Sequence, residues 1–264
     1  MELPIYQVDA FADKVFSGNP AAVMPLSQWL DDTTLQAIAL ENNLSETAYL
    51  VDRDDGYGLR WFTPAVEVDL CGHATLAAAH VLFEHLEHPG GEILFHTRSG
   101  ELRVRRSGEG LTLDFPAAVL ESVDVDLAVC NALGATASEA VMPAGNPQAV
   151  VYVYEFEEDV ANLQPDFAAL RAASEYCIIA TAPGDDCDFV SRFFAPQVGI
   201  DEDPVTGSAH CSLVPYWSQR LHLDTLQARQ ISARGGNLAC EYRDGRVFMT
   251  GTAVTFMQGT VLRY

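Results

Sequence analysis

Lysine is almost missing from this chain: Lys14 is the only one, and the 15 basic residues face 37 acidic ones, for a formal net charge of −22. A surface so poor in cations cannot neutralise phosphates, which excludes nucleic acid and anionic membrane as partners. No apolar run approaches the ~18 residues needed to span a bilayer. The start, Met1-Glu2-Leu3-Pro4, lacks the basic residues and apolar block of a signal peptide, so the cytoplasm is the expected compartment. The six cysteines (71, 130, 177, 187, 211 and 240) form no Cys-x-x-Cys pair. Their spacing suggests neither a zinc site nor a disulfide framework, and most are expected to be small buried hydrophobes. Gly-x-Gly-x-x-Gly and the P-loop pattern are also absent, which removes the usual sequence basis for a dinucleotide or nucleoside triphosphate. His80, Glu84 and His88 stand at i, i+4 and i+8, formally a ligand spacing, but they read as a solvated outer helix face. No metal is expected.

What is present is a doubled pattern. Gly18-Asn19-Pro20-Ala21-Ala22-Val23 recurs as Gly145-Asn146-Pro147-Gln148-Ala149-Val150. Phe62-Thr63-Pro64 recurs as Phe194-Ala195-Pro196, and Gly100-Glu101-Leu102 as Gly236-Asn237-Leu238. Between these lie two glycines, Gly72 and Gly207, each opening an apolar helical run. The landmarks keep their order while their spacing grows slowly, as small loop insertions would make it. A tandem duplication of one fold unit follows, with halves at 1–116 and 117–264 and a last strand free to cross back. Two such units are expected to face each other across a cleft walled by the two helix starts.

Each half reads as strand-rich with about one buried helix. In the first, strands are expected over 3–11, 21–24, 48–51, 59–62, 93–97, 102–105 and 111–115, with helices over 33–42 and 74–87. In the second, helices are expected near 124–133, 166–172 and 208–221, the last kinked at Pro215. Strands are expected over 149–154, 176–182, 189–194 and 229–233, then a hairpin turning at Asp244-Gly245 and a last strand near 259–263.

Asp201-Glu202-Asp203-Pro204-Val205-Thr206-Gly207-Ser208 is the most informative segment. A Gly-Ser step at a helix start aims several backbone N–H groups at one spot, and such a spot binds an anion. Gly207 is suited to a backbone conformation closed to other residues. Asp203 alone reads as a cap or a complement to the helix dipole. Glu46 alone reads as a solvated loop carboxylate. His73, after Gly72, stands at a positive helix end that favours its neutral form, from which it could donate a hydrogen bond or shuttle a proton. Its equivalence with Ser208 favours a functional role.

Five segments together resemble the phenazine-biosynthesis PhzF-like family, a relative of diaminopimelate epimerase. They are Val8-Asp9-Ala10-Phe11, Gly18 to Val23, Asn43-Leu44-Ser45-Glu46-Thr47, Cys71-Gly72-His73-Ala74-Thr75 and Glu202 to His210, in order along the whole chain. The resemblance implies an α+β fold of two pseudo-symmetric halves, each a curled, mostly antiparallel sheet around a central helix. It implies a homodimer and a cofactor-free isomerase that moves a proton between carbons of a small carboxylic acid. By the same resemblance Glu46 is the catalytic acid/base, with Asp203 and His73 assisting. Gly72, Gly207, Ser208 and Ala209 are the substrate-binding positions. Cys71 departs from the phenazine enzyme's pattern, and Thr206 stands where the epimerase has its second thiol. An amino-acid or hydroxy-acid epimerase using Cys71, and a non-catalytic small-anion-binding protein, are the alternative expectations.

Overall fold

The structure, a computed structural model, describes residues 2–145 and 147–262. By compactness the chain divides into unit 1, residues 1–114 with 250–264, and unit 2, residues 115–249. Residues 250–264 therefore group with unit 1, and the switch from unit 1 to unit 2 falls two residues before 116/117.

The chain begins with β1 (Leu3–Ala10), β2 (Asn19–Leu26), α1 (Asp32–Asn42), β3 (Glu46–Arg53), β4 (Gly56–Phe62), β5 (Glu67–Val68) and α2 (Gly72–Glu84). The antiparallel run β6 (Glu92–Thr97), β7 (Gly100–Ser107) and β8 (Gly110–Pro116) follows. Then come β9 (Leu120–Val123), α3 (Leu127–Leu133), β10 (Glu139–Pro143), β11 (Ala149–Val153), α4 (Glu157–Ala161), α5 (Phe167–Ala173), β12 (Cys177–Pro183), β13 (Phe189–Ala195) and β14 (Ile200–Asp203). The chain closes with α6 (Gly207–Leu221), β15 (Thr225–Gln230), β16 (Gly236–Arg243), β17 (Arg246–Gly251) and β18 (Ala253–Val261).

In unit 1, β1 lies antiparallel to β18 and β2, and the final strand thus crosses back to the first. β2 and β3 are parallel, joined through α1, and β3 and β4 are antiparallel. The crossover through α2 makes β4 and β6 parallel. Pro20 to Leu26 is a near-continuous apolar run because this strand is covered on both faces. Ala22 and Met24 pack with Leu35, Ile38 and Ala39 of α1. The opposite face carries α2, which packs on β1, β2, β3 and β18. Gly72 through Ala79 and Val81 through Phe83 are all buried, so α2 is a central helix with almost no solvent face.

Unit 2 repeats this strand by strand. β11 and β12 are parallel, β12 and β13 antiparallel, and β13 and β15 parallel across α6. The register repeats as well. Phe62 lies opposite Thr47 and Glu67; Phe194 lies opposite Ile178 and Glu202. Tyr57 pairs with Phe95, which pairs with Leu102; Phe189 pairs with Ala228, which pairs with Leu238. Each copy also carries the same brace. Arg60 grips Glu67 with two hydrogen bonds of 2.7 Å and lies over Phe62, and Arg192 grips Glu202 at 2.8 and 2.9 Å and lies over Phe194. A bidentate guanidinium fixes both distance and plane, so it holds β5 and β14 just before the two helix starts.

Several expectations need correcting. The helix of the first half ends at Glu84 rather than 87, so His88 lies beyond it. His80 is half-buried rather than solvated: its Nε2 is 2.9 Å from Thr255 Oγ1, and His85 reaches the same hydroxyl at 2.7 Å. Burial pushes His80 down to about 4. α6 continues as helix through Pro215, the position of the expected kink. The carbonyl four residues back, on Cys211, receives instead the Ala118 N–H at 2.9 Å, so the donor that proline lacks is supplied by the crossover segment. The last strand spans 253–261 rather than 259–263; position 263 and Asn146 of the second Gly-Asn-Pro lie outside the described residues. Asp244 and Gly245 take φ of 52° and 71°, as the expected hairpin turn demands. Among the described residues no helix is long and apolar enough to cross a membrane.

Candidate active site

In unit 1 three separate segments converge on one imidazole. The first is the entry to β2. Gly18 has φ of +65°, and a Cβ there would lie 2.2 Å from the Ala10 carbonyl oxygen, so only glycine permits this close approach. The turn it makes delivers Asn19, fully buried. The second is the exit from α1. Its C-cap, Asn43, is left-handed at φ 50°, and the reversed chain enters β3 at Glu46, opposite Ala21 of the parallel neighbour. The third is the start of α2, where Cys71 is the N-cap residue and His73 follows Gly72.

His73 Nδ1 lies 3.1 Å from Asn19 Nδ2 and 3.5 Å from Cys71 Sγ. On its other edge Nε2 lies 3.1 Å from Glu46 Oε2, with side chains only 4% and 13% exposed. That separation is hydrogen-bond length, yet the ring N–H does not point along it: among the described residues neither atom has a well-directed partner. Buried polar atoms are rarely left so, and each such atom calls for an explanation.

The electrostatics favour a proton at this spot. Burial opposes charge on His73, but the facing Cys71 and Glu46 outweigh it and hold the ring well above its ordinary value. This direction is opposite to the one expected from the helix end alone, which weighed the dipole and not the carboxylate. Cys71 is pushed the other way. Burial, then the Glu46 charge, raise its thiol to about 11. The donor atoms of Glu46, Cys71 and His73 lie within 4.8 Å of one another. The ring offers Nδ1 to the thiol and Nε2 to the carboxylate, so one ion could not take all three groups without the ring or thiol moving.

In unit 2 the start of α6 is built on the same plan. Thr206 replaces Cys71 as N-cap, Gly207 replaces Gly72, and Ser208 replaces His73. In both copies the fourth side chain after the N-cap ties back to its carbonyl: Thr75 Oγ1 donates to Cys71 O at 2.6 Å, and His210 Nδ1 to Thr206 O at 2.9 Å. Burial pushes His210 down to about 4. Gly207 is helical rather than left-handed, so conformational freedom is not its purpose. Asp203 is buried and accepts a short hydrogen bond from Thr206 Oγ1. Gln230 closes the group: its Oε1 accepts from Thr206 N at 2.8 Å and its Nε2 donates to Asp203 O at 2.8 Å. Ser208 is exposed and Ala209 buried beneath it.

The predicted site residues thus fall into two groups, Glu46, Gly72 and His73 in unit 1 and Asp203, Gly207, Ser208 and Ala209 in unit 2. Two residues carry no role in the sequence reading. Asn19 stands within the repeated Gly-Asn-Pro, which was a usable signal. Gln230 has none, because only strand register brings it to Thr206.

A family model described as phenazine biosynthesis-like protein, PhzC-PhzF, matches residues 8–259. A Pseudomonas aeruginosa protein named an uncharacterized isomerase is 52% identical over 261 residues, covering 99% of each chain. A crystal structure of a phenazine biosynthesis protein of the PhzF family from Enterococcus faecalis, 47% identical, superposes with a TM-score of 0.95 over 100% of both chains. A hydroxyproline epimerase from Agrobacterium vitis shares the fold at 10% identity, with a TM-score of 0.61 over 98% of this chain and 92% of that one. The α+β fold is therefore shared with the PhzF-family structure and with the epimerase structure.

Proposed function

The chain belongs to the phenazine biosynthesis-like PhzC-PhzF family, and from that premise we propose that it is an isomerase moving a proton between carbons of a small carboxylic acid. Glu46 takes the proton from a carbon activated by a neighbouring double bond or carbonyl. The C–H electron pair enters the conjugated system, and the proton returns at another carbon of the same molecule. Atoms and electrons balance within the substrate, so the reaction calls on no cofactor. His73, cationic beside Glu46, stabilises the carboxylate before the first transfer and after the second; between them Glu46 holds the proton as a neutral acid. Asp203, held by Thr206, is the second proton-handling group. Backbone N–H groups at Gly207, Ser208 and Ala209 receive the substrate carboxylate, as helix starts do; Gly72 gives its backbone to the same purpose in unit 1.

The observation that carries this reading is the buried Glu46–His73 contact, 3.1 Å apart with neither atom well partnered. Cys71 is a poor proton carrier by comparison, since its thiol is raised to about 11. Six free cysteines support a reducing compartment, the cytoplasm. A homodimer is part of the proposal. β18 carries no charged residue, and Phe256 and Met257 on it are exposed next to Phe16. Phe16 is 70% exposed, a placement that a partner surface would explain. Two chains of charge −22 repel least where charge is absent, so a second copy fits this neutral patch.

The test is a screen of small carboxylic acids in deuterium oxide, watching for uptake of one deuteron. Wild-type protein is expected to label its substrate and Glu46→Gln to do so at least ~100-fold more slowly. Undiminished labelling by Glu46→Gln, with loss in Cys71→Ser, would overturn the assignment in favour of a thiol epimerase. Ligand-induced stabilisation without labelling of any acid would favour a binding protein.

A further inference from the structure

The repeated Gly-Asn-Pro is the motif that the proposed chemistry leaves without a purpose, and in unit 1 its asparagine touches the central imidazole. A neutral imidazole has one donor and one acceptor nitrogen, and its surroundings decide which is which. Here Nδ1 meets the Asn19 amide nitrogen at 3.1 Å and the Cys71 sulfur at 3.5 Å. An amide NH2 can only donate, and a protonated thiol facing a lone pair donates as well. In the neutral ring Nδ1 is therefore the acceptor, which leaves the one ring hydrogen on Nε2, the edge that faces Glu46 at 3.1 Å.

We infer that Asn19 is a positioning residue that, whenever His73 is neutral, keeps its one proton on the edge facing Glu46. The inference rests on the reading of Glu46 and His73 as the proton-transfer pair. An amide suits the task better than any charged or apolar group. When the ring is neutral, Asn19 offers Nδ2 to Nδ1; when the ring takes a second proton, a half-turn of the amide offers its oxygen to the new Nδ1–H. Aspartate could serve only the cation, and leucine neither state. The side chain is held for this purpose: it is fully buried, and the chain reaches it through the left-handed Gly18, whose neighbour Ala10 leaves no space for a Cβ. The titratable groups facing the ring are Cys71 from its own helix and Glu46 from β3, so the effect of Asn19 is separable from both.

The experiment uses the full chain with selectively 15N-labelled histidine, followed by long-range 15N–1H correlation spectra across pH, with His73→Gln to assign the resonance. In the wild type, His73 above its midpoint is expected to show the Nε2–H pattern. Asn19→Leu should give a mixture of both tautomers, and Asn19→Asp should move the midpoint upward by about one unit or more. Asn19→Asp is nearly isosteric, so it keeps the test decisive if the leucine variant fails to fold. An unchanged tautomer and midpoint in Asn19→Asp, or an Nδ1–H pattern in the wild type, would overturn the inference. Because these spectra need no substrate, their outcome is distinct from that of the deuterium screen, in which labelling unaffected by Glu46→Gln would remove the proton-transfer reading itself.

Discussion

The two copies of the Gly-Asn-Pro turn allow one substitution to be made twice in the same protein. Gly18 and Gly145 both have positive φ, 65° and 92°. An alanine forced into this region costs about 1–2 kcal/mol, offset by about 0.4–1 kcal/mol because alanine also restricts the unfolded chain. At Gly145 nothing lies within 4 Å of an added Cβ, so the net cost should be about 1 kcal/mol. At Gly18 the Cβ would stand 2.2 Å from Ala10 O and 2.8 Å from Ala12 Cβ. Ala10 pairs with Asn19 in the β1–β2 ladder, so relief of the clash means moving backbone and not merely a side chain. The total there should be about 3 kcal/mol or more. With roughly 2–4 °C lost per kcal/mol for a chain of this size, Gly18→Ala should melt about 6–12 °C below wild type and Gly145→Ala about 2–4 °C below. Thermal unfolding followed by circular dichroism reads both. Equal losses in the two variants would refute the argument, because they would mean that the carbonyl contact sets nothing.

Other outcomes follow from the same physical reasoning. His210 is fully buried with a proton affinity lowered to about 4, so the unfolded chain, at its ordinary 6.5, binds a proton first as pH falls. Stability should therefore drop between pH 6.5 and 4, by about 3 kcal/mol from this group, and urea titrations of His210→Gln should show a flatter slope there. His73 has the opposite sign: its raised proton affinity contributes stability in full below 6.5 and loses it as pH rises through the folded value. Ala118→Pro removes the donor to Cys211 O and should cost about 1–3 kcal/mol. Pro215→Ala in that background should recover part of it by restoring the helical N–H, and additivity of the two changes would contradict the pairing. Phe256→Asp should convert a dimer to a monomer in sedimentation equilibrium; an unaltered mass would remove β18 from the interface.

Local patterns were the legible part of this sequence. The apolar run after Cys71-Gly72 signalled a helix without a wet face, Asp244-Gly245 signalled its turn, and the doubled landmarks signalled two like halves. All of these depend on residues close in the chain. What stayed hidden depends on partners far apart in it. Pro215 signalled a missing helical donor, but nothing near it in sequence shows that Ala118 of the crossover segment donates to Cys211 O instead. His80 looked solvated until Thr255 of the last strand arrived beside it. Glu46 read as an ordinary loop carboxylate because nothing near it in sequence shows that it meets His73. Gln230 was invisible for the same reason.

The paired arginine–glutamate grips have a consequence for ancestry. Since Arg60 with Glu67 and Arg192 with Glu202 fix their strands in the same way, the framework does not depend on which residues stand at the helix starts that follow. A primordial half-length gene, once copied, could then let each descendant shed a different part of the original equipment. One lobe kept an ionisable ring and a thiol, the other hydroxyls and an acid. Division of labour of this kind makes the lobes no longer interchangeable, so a hybrid built from two first lobes should fold on the shared frame and yet be inert.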